Sequence, residues 1–69
     1  MVVEPGTMLY HPFRNSIGWV LEIQTIKTMI GEYANYRVEW AGGSWLDNLT
    51  TGQVHVYAEK YLELQNDKR

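Results

Sequence analysis

Apolar and polar positions alternate along much of this chain. In "IGWVLEIQTI", residues 17–26, Ile17, Trp19, Leu21 and Ile23 share one parity, and Gly18, Val20, Glu22 and Gln24 share the other. A period of two predicts a half-buried strand, with Ile17 to Ile23 contributing to the core. Gly18 interrupts that strand and marks a bend or a close approach of another part of the chain. "YRVEW" repeats the alternation strictly, with Tyr36, Val38 and Trp40 on one face and Arg37 and Glu39 on the other. Ahead of both, "TMLYH" has strand character; the turn pair Pro5-Gly6 introduces it and Pro12 ends it, leaving "HPFRNS" as a loop.

"KTMIGEYAN" reads as the next connection, with Gly31 and Asn35 as turn residues and Met29 and Ile30 tucked under the sheet. "QVHVYA" predicts a strand with Val54 and Val56 inward and His55 and Tyr57 outward. "AEKY" fits a single 3₁₀ turn, and "YLEL" a closing strand with Leu62 and Leu64 on one face. No segment shows a helical apolar period over three turns. Five short strands and one 3₁₀ turn define an all-β domain. At this length a flat sheet leaves one face uncovered, so a small five-stranded barrel over residues 1–64 is expected, followed by a polar tail, 65–69.

The longest interruption falls between the third and fourth strands. A hairpin needs two to five residues to reverse direction, yet residues 42–52 hold Trp45, Leu46 and Leu49 among glycines and polar residues. Such side chains do not rest singly in water, which predicts an ordered projection of the hairpin. It either caps an open end of the barrel or presents an apolar patch rimmed by Asp47, Asn48 and the threonines. Trp45, Leu46, Asp47 and Leu49 are accordingly the candidate partner contacts, because Trp is a frequent anchor at protein interfaces.

Composition narrows the chemistry. Sixty-nine residues make one domain, which buries only roughly 60% of its unfolded surface. The chain has no cysteine, which rules out disulfides and thiolate metal sites, and His11 and His55 alone cannot close a structural zinc site. No stretch approaches the ~20 apolar residues of a membrane span. "MVVEPGT" lacks the features of a secretory signal, so a cytoplasmic rather than secreted protein is expected. Without that signal "NLT" at 48–50 reads as a polar loop rather than a glycosylation acceptor. Six basic residues against eight acidic ones, with only Lys68 and Arg69 adjacent, argue against nucleic acid. Ser16, Ser44, His11, His55 and Asp47 show no spacing that pairs a nucleophile with a base, so no catalytic, cofactor or metal residue is assigned. Tyr10, Tyr33, Tyr36, Trp40 and Tyr57 could form an aromatic cage, but mostly share inward parity and read as core.

Taken together, "PGTMLYHPF", "IGWVLEI", "YRVEW" and "VYAEKYLEL" resemble the SH3-like small barrels encoded as short proteins by tailed phages. Pro5 to His11, Gly18 to Ile23, Tyr36 to Trp40 and Glu59 to Leu64 occupy the places of that pattern. The chain departs from it where "AGGSWLDNLTTGQ" replaces a tight turn between the third and fourth strands. The resemblance implies a barrel and a phage or phage-like origin. The function expected of it is a non-enzymatic interaction module that binds a protein partner or itself, in the host cytoplasm if viral. The alternative is a nucleic-acid-binding barrel of SH3 or Tudor type; a reader of methylated lysine or a small ligand is a third.

Overall fold

The computed structural model describes residues 2–42 and 46–66. Its elements are β1 (Met8–His11), β2 (Ser16–Thr28), β3 (Gly31–Trp40), β4 (Leu46–Leu49) and α1 (Thr51–Asn66). The strands form one antiparallel sheet in the order β1-β2-β3-β4. The β-rich reading holds. The five-stranded closed barrel does not: the sheet is open, and a helix packs on one of its faces, chiefly over β1.

The main correction lies at the C-terminal end. The residues expected to form a strand, a 3₁₀ turn and a last strand are one helix of sixteen residues, running two residues past Leu64. Its start is a capping box. The Gln53 amide donates to Thr50 Oγ1 at 3.2 Å, and the Thr50 amide donates to Gln53 Oε1 at 3.0 Å. Two donors that a helix N-terminus leaves unpaired are thereby satisfied. Val54, Tyr57, Ala58 and Tyr61 then recur at the i, i+3, i+4, i+7 spacing of a single helical face. Val54 and Ala58 are buried against the sheet, while Val56, Leu62 and Leu64 stay substantially exposed. The Val-x-Val alternation that suggested a strand puts its two valines on different sides of the helix.

A second correction concerns β2. Val20 is buried, whereas Ile17 and Leu21 are exposed and Trp19 is half-buried on the outer face. The strictly alternating β3 sets the core side: Gly18 lies opposite Trp40, and Val20 opposite Val38. A bulge between Val20 and Glu22 then inserts Leu21 and flips the parity, returning Ile23 to the core side opposite Tyr36. Gly18 serves the close approach its position suggested. A Cβ there would stand 2.5 Å from Trp40 Cε3 and 2.7 Å from the Glu39 carbonyl oxygen. The indole can lie across β2 only because that side chain is missing.

The core gathers Leu9, Val20, Tyr36, Val38, Trp40, Leu49, Val54 and Ala58. Around it the sheet is uneven in length. β1 pairs with β2 only at Ser16 to Trp19, and β4 pairs with β3 only at Tyr36 to Glu39. Residues 24–35 therefore leave the sheet as a two-stranded ribbon, which gives the molecule its 48 Å long axis. Asn35 belongs to this ribbon rather than to a turn; its side-chain amide donates to Asn48 Oδ1 at 3.1 Å. Met29 and Ile30, expected under the sheet, form the ribbon's tip and are fully exposed. Gly31 closes the turn at φ +147°, which L side chains rarely adopt.

Of the expected projection over 42–52, residues 43–45, with Trp45, lie outside the described residues. Leu46–Leu49 is built into the sheet as β4, and Thr51 and Gly52 open α1.

Candidate functional site

A groove of about 560 Å³ runs between the β1–β2 turn and the first half of α1. Pro12 and Phe13 form one wall; Gly52, Gln53, Val56, Tyr57 and Lys60 form the other. The helical wall follows from the capping box. With the helix starting at Thr51, positions 52, 53, 56, 57 and 60 fall on one stripe, beside the stripe that buries Val54 and Ala58. Turn geometry sets the opposite wall. Asn15 takes a left-handed conformation at φ 50°, which Asn tolerates better than most residues, and Tyr10 Oη donates to its Oδ1 at 2.6 Å. Phe13 is thereby presented outward, 93% exposed.

A set of rings adjoins the groove. His11 stacks on Tyr57 with centroids 4.8 Å apart and meets Trp40 edge-on at 5.4 Å. Phe13 stands edge-on to His11 at 6.2 Å, and Trp40 to Tyr57 at 5.7 Å. Tyr57 Oη and His11 Nε2 are 3.4 Å apart, while His11 Nδ1 is buried with no hydrogen-bond partner among the described residues. Offset and edge-on ring pairs of this kind fix orientation as well as burying area. Two rings that line the groove, Phe13 and Tyr57, are thus tied through His11 to Trp40 of the core, and at the rim Lys60 pairs with Glu63 at 3.6 Å.

The seven lining residues offer apolar contact with one cation at the edge. None of them is a carboxylate, serine, cysteine or histidine. Among the described residues no group of three or more His, Asp or Glu is placed to hold a metal ion.

The contacts chosen from sequence are not brought together. Trp45 lies outside the described residues. Leu46 is half-exposed on the outer face of β4, and Asp47 points to the opposite face, where its Oδ2 accepts from Trp40 Nε1 at 3.4 Å. Leu49 is core. Phe13, Val56 and Tyr57 were missed as a site. The signal available for them was the pair Thr50 and Gln53, which sets the helix phase, and a large apolar residue directly after Pro12 in a turn. Comparisons with protein-family models, curated proteins and solved structures return no match for this chain.

Proposed function

We propose that this chain is a non-enzymatic interaction module that receives an apolar segment of a protein partner in the groove between Phe13 and α1. One observation carries the reading: Phe13, Val56 and Tyr57 line an open groove, and both rings are held in orientation by contact with His11. Protein partners anchor on such preformed apolar surfaces because little further ordering is needed on binding. Lys60 at the rim adds a charge that selects orientation more than affinity.

A displayed library of random peptides, selected on the wild-type chain, tests the reading. Selected peptides should carry two neighbouring apolar anchors and shift the amide resonances of Phe13, Val56 and Tyr57. Val56→Asp should weaken them at least ~10-fold by placing a charge in the apolar contact. Peptides that bind Val56→Asp as well as wild type would overturn it.

A further inference from the structure

The most exposed large apolar side chains among the described residues sit at the two ends of β2. Met29 and Ile30 cap the ribbon beyond its last residue, and Phe13 lies just before its first. We infer that the ribbon tip of a second copy of this chain occupies the groove, reciprocally, in a two-fold pair. This rests on the reading of the groove as a docking site and names its occupant.

The choice of tip residues supports it. Two-residue hairpin turns favour Asn, Asp and Gly, whose backbones suit the reversal. Here the turn carries Met and Ile and leaves the backbone correction to Gly31. Nothing in the protomer benefits, since both side chains are fully exposed. A two-stranded ribbon without support is also marginal in water, so contact made by a partner would order it. Local preference is given up where contact with another surface would repay it.

Distance and charge agree. Thirteen residues of β2 separate groove from tip, about 43 Å at ~3.3 Å per residue, nearly the full 48 Å length of the molecule. Two copies side by side and antiparallel therefore bring each tip abreast of the other's groove. Behind the tip the ribbon carries Lys27 opposite Glu32. The groove rim carries Lys60 with Glu63, so each surface holds one charge of either sign and neither repels the other by net charge.

Area argues for reciprocity. Met29 and Ile30 bring roughly 200 Å² of apolar surface to one contact, at ~100 Å² per buried side chain. The exposed ring of Phe13 with Val56 brings a comparable amount. One contact alone is small beside the ~800 Å² per partner of a standard interface. In a two-fold pair each protomer contributes a tip and a groove, roughly 400 Å² before stems and charged rims are counted, which places the pair among weak, reversible dimers.

Sedimentation and amide-shift titration test this with a tip variant, Met29→Asp with Ile30→Asp, and a groove variant, Val56→Asp. Both change exposed positions, and an unaltered circular dichroism melt confirms each fold. Wild type should pass from monomer to dimer between ~10 μM and ~1 mM, the weak range for so small an interface, and each variant should stay monomeric. The decisive step is mixing. The ¹⁵N-labelled tip variant keeps its groove, and the unlabelled groove variant keeps its tip, so the mixed pair retains one of the two contacts. Titration to ~1 mM should then shift Phe13, Val56 and Tyr57 by less than full dimerisation does. A chain carrying all three substitutions should not shift them. A wild type that remains monomeric at ~1 mM, a dimer retained by both variants, or a silent mixture overturns the inference. If library peptides still shift the groove residues in any of those cases, the groove remains a docking site and only its occupant was misassigned. If they do not, both readings fall.

Discussion

Val54 and Val56 separate the helix from the strand more sharply than any other pair. In a strand both valines face one side, and both truncations to alanine would be costly. In α1, Val54 is 0% exposed against the sheet and Val56 is 50% exposed in the groove wall. Val54→Ala removes two buried methyl groups, about 1.6 kcal/mol of transfer free energy, and leaves a cavity that adds roughly 1 kcal/mol more. Alanine's better helix propensity returns about 0.5 kcal/mol. The net cost is ~2 kcal/mol, a large share of the roughly 3–10 kcal/mol available to a chain of this length. Val56→Ala loses about half the transfer term and no cavity, and propensity nearly offsets it, leaving a cost of ~0–0.5 kcal/mol. Urea melts followed by Trp fluorescence and by far-ultraviolet circular dichroism give both values on one m-value. Equal costs, or a larger cost at Val56, would refute the helix phase and with it the groove wall.

Two further outcomes follow from single contacts and a third from the charge balance. Gly18→Ala should destabilise by ~1–3 kcal/mol by forcing Trp40 and β2 apart, although replacing Gly by Ala in a strand is ordinarily favourable; a stabilised variant in a thermal melt would mean the indole does not lie on β2. Thr50→Ala should cost about 1 kcal/mol through the capping box, with Thr50→Ser restoring most of it, and undiminished stability would place the helix start elsewhere. With eight acidic groups against six basic ones, binding to single-stranded or duplex DNA should be no tighter than ~100 μM at physiological salt. Fluorescence anisotropy giving a salt-dependent micromolar Kd would instead support the nucleic-acid reading.

Much of the sheet was legible because β3 obeys a simple rule. Tyr36, Val38 and Trp40 alternate without interruption and all three are core. β2 misled because it contains a bulge. Up to Val20 its core residues have even numbers, and from Ile23 odd, so a period counted straight across the strand is wrong for half of it. Nothing in "IGWVLEI" marks the extra residue by itself; only pairing with β3 exposes it. The helix was obscured differently. Its buried stripe is narrow and includes Ala58 and tyrosines rather than a run of leucines, while Val56, Leu62 and Leu64 populate the exposed side. Thr50 and Gln53 carried the better signal, because a capping box depends on spacing and not on hydrophobicity.

The site was harder to read than the fold, and for a physical reason. Sequence reasoning sought apolar residues inside a polar interruption and found Leu46 and Leu49, which β4 divides between the outer face and the core. An open groove is instead made by residues distant in sequence, here a turn at 12–13 and a helix at 52–60, and no local pattern brings them together. What local pattern does reveal is a residue in the wrong place for its own turn. Phe13 follows a proline in a loop, and Met29 and Ile30 fill a hairpin tip where small polar residues suit the backbone better. Each is apolar, each is nearly or fully exposed, and none adds to the described core. A chain with so little apolar surface to bury loses by leaving three large side chains in water, unless another molecule covers them. The exposed turns, rather than the residues of the long interruption, are where association should be sought first.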